Sequence, residues 1–374
     1  MQRDVHDFAW TAWDAWRTMH DRIGSVDVDV LYPPGFDAVA RRDLAAVRFA
    51  LPYESAKYGR YPYPVLTVVH VPEGAVEAGG MEYPTFITTE GAWLTPAAVR
   101  LPEIVTVHEL GHQWFYGLVA TNEAAWPFLD EGVNQYAETD AMGAWLGDGS
   151  AVDFLGLRVS DISLQLVSST GAVHDEPVAQ AASAFSSGAS YGRLAYARTA
   201  SVLETLARVY GRDAVAKALG LYARRQRFRH PGPDELFAAF DETMGEGPTR
   251  TLRAALFEQG WVDYTIDSLV SGEADGSVLV RRRGTLVFPV DIDLSMTDGT
   301  TRREHWDGSG SSLRIPWHGP PAVRAVAVDP DDRVAIDENR QNNQVAAPGR
   351  ASSAWHVFER VTYWMQLALD LVSP

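Results

Sequence analysis

The sequence predicts an α+β protein that turns mainly helical in its second half and ends in a small antiparallel β region. Three observations predict this. Strand-like alternation and helix-like periodicity take turns up to about residue 140. Helical patterns dominate from about 150 to 260. Beyond 268, short alternating segments are broken by Gly and Asp turns. The 374 residues suffice for two or three domains, and 46% hydrophobic with 22% charged is an ordinary globular composition.

VDVDVLY, residues 26–32, alternates as a strand does, and DAVARRDLAAVRFA, 37–50, has helical spacing. PVLTVVHV, 64–71, reads as a buried strand, and GAVEAGGMEYPTFITT, 74–89, as a Gly-rich turn entering an edge strand. A helix is expected to start after Thr95-Pro96 and run through His108 to about Val119, with another over 128–143. LAYARTASVLETLARVYG, DAVAKALGLYARRQRF and PDELFAAFDETM supply the later helices. The strands after 268 include the turns Asp298-Gly299 and Asp307-Gly308 and end near Ile336, and the polar residues 337–353 read as a linker. The expected organisation is a first domain over 1–265, a β domain over 268–340, and a linker with a C-terminal helix over 341–374.

A net charge of −17 repels nucleic-acid phosphates, so no nucleic-acid partner is expected, and the run Arg224, Arg225, Arg227, Arg229 reads as a solvated helix end. The chain contains no cysteine, which excludes disulfides and thiolate metal sites and leaves His and carboxylates as zinc ligands. MQRDVHDFAW has no basic region followed by an apolar run, and no stretch is apolar enough to span a bilayer, while the compartment stays open. The tail Ala354–Val372 reads as a helix that packs on protein rather than one lying in a membrane interface.

The densest chemistry lies in HELGHQWFYGLVATNEAAWPFLDEG, His108 to Gly132. Helix positions four apart differ by about 40° around the axis and about 6 Å along it, so His108 and His112 project from one face. Two imidazoles so placed can share one zinc, with Glu109 beside it as general base. A zinc site needs a third protein ligand. Glu131, eighteen residues beyond His112 on the next expected helix, can reach the same metal. Asp130, next to Glu131, reads either as a residue orienting a metal histidine or as a helix-surface or capping residue; the second reading is taken, and it stays outside the expected site.

HELGHQWFYGLVATN…FLDEG resembles the zinc site of the aminopeptidase N family, gluzincins that share HExxH, eighteen residues, then Glu. Gly79-Gly80-Met81-Glu82-Tyr83 is similar to that family's exopeptidase motif, GAMEN, with Gly80 for Ala and Tyr83 for Asn. Tyr196-Ala-Arg-Thr is similar to its YxKG segment, with Arg198 and Thr199 as departures and Tyr191 as the competing tyrosine. Asp7-Phe8-Ala9-Trp10 resembles the start of the family's catalytic domain, and the resemblance covers about residues 4–343. The family's β-rich N-terminal domain has no counterpart before Asp7. That implies apolar surface left exposed where such a domain would dock.

The resemblance implies a thermolysin-like catalytic domain followed by a β-sandwich, and a zinc aminopeptidase acting on peptides with a free N-terminus. One Zn²⁺ per chain would sit on His108, His112 and Glu131, with Glu109 as base and Tyr196 as oxyanion donor. Glu82 would pair with the substrate ammonium, and Gly79, Gly80 and Met81 would line its approach. Two alternatives are an endopeptidase of thermolysin type on the same metal site and an inactive relative that binds peptides.

Overall fold

The computed structural model describes residues 4–347 except 93, 273 and 274, and divides into two units, Met1–Trp261 and the residues from Val262. The first unit opens with β1 (Arg17–Ile23) and β2 (Val26–Tyr32), an antiparallel hairpin turning at Gly24. In β2 the alternation has its expected consequence: Val26, Val28, Val30 and Tyr32 are buried. β1 went unpredicted because RTMHDRI buries no side chain fully and carries no apolar alternation. α1 (Asp37–Tyr58) leads to β3 (Val65–His70) and then β4 (Phe86–Thr89). The sheet order is β1-β2-β3-β4, with β2, β3 and β4 parallel and β4 at an edge.

α1 runs eight residues past its expected end, through Pro52. Proline ordinarily ends a helix because it lacks an N–H and crowds the preceding turn. Here Leu51, Glu54 and Tyr58 beyond or beside it are buried, and that burial carries the helix on. α2 (Leu101–Gly111) has Pro102 in its first turn and buries Val107 and Leu110. A bidentate pair fixes it to α1: Arg42 Nε donates to Glu103 Oε1 at 2.8 Å and Nη2 to Oε2 at 2.6 Å. α2 is shorter than expected. After Gly111 the chain coils through tight turns to Val119, burying Trp114 and Phe115, and Trp114 Nε1 donates to the Gly59 carbonyl at 2.6 Å.

The helix expected over 128–143 is two pieces, a π-helical turn over Phe128–Gly132 and α3 (Val133–Leu146). The hairpin β5 (Val152–Phe154) and β6 (Leu157–Val159) interrupts the helical region, turning at Leu155-Gly156, both with positive φ. α4 (Asp161–Ser169) and the short α5 (Gly188–Tyr191) precede a second π-helical segment, Gly192–Arg198. α6 (Thr199–Tyr210), α7 (Arg212–Gln226), α8 (Pro233–Met244) and α9 (Glu246–Phe257) complete the unit. Phe8 and Trp10 are exposed, at 81% and 74%, and line an open recess of about 710 Å³ with Val69, Met81 and Phe86.

The second unit is antiparallel. Its strands are β7 (Val262–Ser271), β8 (Asp275–Gly284), β9 (Val290–Met296), β10 (Thr301–Trp306), β11 (Ser312–His318), β12 (Val323–Val328) and β13 (Gln344–Ala346). They form two sheets, β10-β9-β12-β13 and β11-β8-β7. Each sheet buries one face: Val290, Ile292 and Leu294 on β9, Val278 and Val280 on β8.

Two boundaries differ from expectation. The β region starts at Val262 rather than 268, because residues 262–265 are all buried and show no alternation. β13 lies inside the stretch expected to be linker and pairs with β12 through only three residues. The tail Ala354–Val372 lies outside the described residues. Among those described, no helix is long and apolar enough to cross a membrane.

Candidate metal centre and active site

His108 and Glu109 sit in the last turn of α2, and His112 caps it, its N–H reaching the His108 carbonyl at 3.3 Å. That bond keeps the four-residue offset although the helix stops at Gly111. Asn134 Nδ2 donates to the same His108 carbonyl at 2.7 Å, tying α3 to the end of α2. A Cβ at Gly111 would come 2.2 Å from Asn134 Oδ1, so a side chain there would push the Asn134 amide from its place against the His108 carbonyl.

Glu131 arrives on the π-helical turn. Its Oε2 stands 3.4 Å from His108 Nε2 and 3.2 Å from His112 Nε2, and the two imidazole nitrogens are 3.2 Å apart. The centre of such a triangle is about 1.9 Å from each corner, close to zinc–nitrogen bonds of about 2.0–2.1 Å. Two imidazoles and a carboxylate are also the donor types zinc takes, so the residues fit the ion the sequence implies.

The electrostatics point the same way. Burial holds the His108 imidazole below its usual range, leaving a neutral ring with a lone pair to give. Burial also opposes a charge on His112, but the Asp130 and Glu131 carboxylates outweigh it and raise that ring well above the ordinary value. Burial would raise Glu131, yet the bonds from His108 and His112 prevail and hold it below the usual carboxylate range. The pocket thus draws positive charge onto His112 and leaves His108 neutral. Asp130 corrects the expectation of a surface or capping role. It is buried, and its Oδ1 lies 2.8 Å from His112 Nδ1, which also meets the Phe115 carbonyl at 3.3 Å; both partners lie on the Nδ1 side, so Nε2 faces the centre.

Glu109 is buried, and its Oε2 has no hydrogen-bond partner among the described residues. Burial pushes its carboxyl well above the usual range, His112 opposing and the Glu82 and Glu131 charges adding. Gly80, at φ 67°, passes so close that a Cβ there would be 3.6 Å from Glu109 Oε1. This brings the Gly79–Glu82 segment beside the metal donors. Met81 pairs with Thr88, its carbonyl accepting the Thr88 N–H at 2.8 Å. Burial raises the Glu82 carboxyl, with His112 opposing and Glu131 and Glu123 adding.

The sequence reading missed Gln113, the residue after the second histidine. Its Nε2 donates to the Tyr83 carbonyl at 3.1 Å, and its Oε1 accepts the Thr85 N–H at 2.7 Å. No spacing rule announces such a bond, because its partners are backbone groups about thirty residues away.

Tyr196 lies on the second π-helical segment with its ring stacked on His108 at 5.9 Å between centroids. Burial, then the Glu131 charge and hydrogen bond, raise its phenol, so the hydroxyl keeps its proton as a donor. Tyr191, the competing tyrosine, meets Tyr196 edge-on at 5.7 Å. The two π-helical segments touch at Gly132, where a Cβ would stand 2.2 Å from the Ala195 carbonyl oxygen. The residue after Glu131 is therefore glycine for lack of space.

Residues 45–257, more than half of the chain, match the family model of the Peptidase family M1 domain. The chain belongs to peptidase family M1. The matched span contains Glu82, His108, Glu109, His112, Glu131 and Tyr196. Among curated M1 relatives, the chain is 23% identical over 314 residues to Aminopeptidase 2 of Candida albicans, covering 78% of this chain and 33% of that protein. It is 27% identical over 230 residues to Aminopeptidase M1-B of Oryza sativa subsp. japonica, covering 59% and 25%. The chain thus spans about a third or less of the length of these relatives. Legionella pneumophila aminopeptidase A, solved in complex with aspartic acid, shares the fold with a TM-score of 0.63 at 11% identity, over 86% of this chain and 38% of that one.

Proposed function

We propose that the chain is a zinc-dependent aminopeptidase that hydrolyses the first peptide bond of substrates with a free N-terminus. The observation that carries this is the meeting of two groups: the His108, His112 and Glu131 donors within 3.2–3.4 Å of one another, and Glu82 on the loop that passes Glu109. Zinc held by those three residues would supply Lewis-acid polarisation and a lowered water pKa.

The chain's own groups would do the rest. Glu82 pairs with the substrate ammonium, and Gly79, Gly80 and Met81 give it a close backbone wall, which positions the first carbonyl over the donors. Glu109, raised by burial, takes the proton of the attacking water and returns it to the leaving amine. The Tyr196 hydroxyl donates to the developing oxyanion. Membership of family M1 and the aminopeptidase names of the relatives support the assignment. We further propose that the first unit is a thermolysin-like domain and that the two sheets of the second form a β-sandwich.

The test is hydrolysis of a panel of aminoacyl-aminocoumarins, free and N-acetylated, by protein of measured zinc content. Free-amine substrates should turn over and acetylated ones should not, with activity lost to a chelator and restored by zinc. Equal rates on both forms would remove the exopeptidase assignment and favour an endopeptidase on the same centre.

A further inference from the structure

Glu123 stands on the loop between Val119 and the π-helical turn that carries Glu131. Asn122 shapes this loop, its carbonyl accepting the Trp126 N–H at 2.8 Å and its Oδ1 the Ala125 N–H at 3.1 Å. Glu123 is thereby exposed yet turned toward the cleft. One oxygen each from Glu82, Glu123 and Asp130 lies within 4.8 Å of the others. Three carboxylates from three separate segments repel at that range, and either a proton on one of them or a cation among them relieves it.

A second observation points to a ligand. Asp130 is 1% exposed, and neither of its carboxylate oxygens has a hydrogen-bond partner of good geometry among the described residues, although Oδ1 lies 2.8 Å from His112 Nδ1. A buried carboxylate oxygen without a donor awaits one. The nature of the cation follows from number and spacing. An ammonium has three donors, and acceptors set tetrahedrally about it at about 2.8 Å stand about 4.6 Å apart. Calcium would take about six to eight oxygens, more than the one from each of the three carboxylates gathered among the described residues. Glu123 leaves one side of the cluster open to solvent, as the entry path of a chain terminus requires.

We propose that Glu123 is a specificity-determining residue for the substrate's α-ammonium, completing with Glu82 and Asp130 a three-acceptor socket built wholly within the first unit. This rests on the aminopeptidase assignment. It adds to Glu82 a second carboxylate that no motif in the sequence marks.

The experiment compares two ligands by calorimetry on the zinc-loaded full chain: leucine hydroxamate, and 4-methylpentanohydroxamate, the same molecule without the amine. Wild type should bind the amine form more tightly. Glu123→Gln should weaken the amine form by roughly tenfold and leave the other unchanged, and Glu123→Asp should recover part of the loss. Equal weakening of both ligands, or of neither, would overturn the proposal. So would a second bound divalent ion that Glu123→Gln removes while the ligand preference stays. If Glu82→Gln abolishes the preference and Glu123→Gln does not, only the role of Glu123 falls. If wild type itself shows no preference, the aminopeptidase assignment falls with it.

Discussion

On the proposed function, Glu109 is the residue on which the chemistry turns, because its Oε2 is buried without a partner among the described residues, beside three residues that could hold a metal ion. Replacing it by Gln keeps the shape and removes the proton acceptor. Glu109→Gln should retain one zinc per chain and lose turnover by about 10²–10⁴-fold, measured as kcat beside metal analysis. Unchanged kcat would take the base role from Glu109. His108, Glu109, His112 and Glu131 were legible because spacing along a helix is local and zinc dictates its donor types. Asp130 was legible only through the reading not taken, a residue that could orient a histidine, and Gln113 was not legible at all. A neighbour of a ligand can face solvent or core, and only the packed fold puts Asp130 at His112 and Gln113 at the Tyr83 and Thr85 backbone.

At the scale of elements, the site hangs on two π-helical turns. Glu131 and Tyr196 each lie on one, and such turns interrupt α-helices most often at functional places. Periodicity reads the first as plain helix, since a five-residue departure from a 3.6-residue repeat is invisible in a window of about eleven or more. The contact between the turns is tight enough to test. Gly132→Ala would drive a Cβ to 2.2 Å from the Ala195 carbonyl oxygen. The backbone would have to separate, costing about 1–3 kcal/mol by the usual penalty for overpacking and displacing Glu131 from the histidines. Urea unfolding should show the loss and zinc titration a weaker site. Wild-type zinc affinity in a destabilised variant would show that the contact serves stability alone. Elsewhere, VDVDVLY matches its strand to the residue because one face is buried and the other wet, whereas α1 outruns Pro52 because tertiary burial overrides a local signal.

For the whole molecule, one contribution to stability against pH comes from Asp337 in the second unit. Burial raises the Asp337 carboxyl to about 6, although it accepts bonds from the Tyr264 and Asn339 N–H groups and from Asn343. The ordinary value is 3.8, so between these two pH values the folded chain holds a proton that the unfolded chain has lost. The contribution is therefore complete below about pH 4 and disappears as pH rises through about 6, a span worth at most about 3 kcal/mol. In urea curves from about pH 4.5 to about 7.5, wild type should lose about 2 kcal/mol relative to Asp337→Asn, whose amide does not titrate. A difference independent of pH would free Asp337 of this role.

Gln113 has a consequence on the largest scale. One amide side chain clasps both ends of the turn after Glu82 and stands next to His112. On the proposed function it acts as a caliper, holding the grip on a chain's first nitrogen at a set reach from the place of cutting. The enzyme then counts: one residue per stroke, whatever the length of peptide left outside.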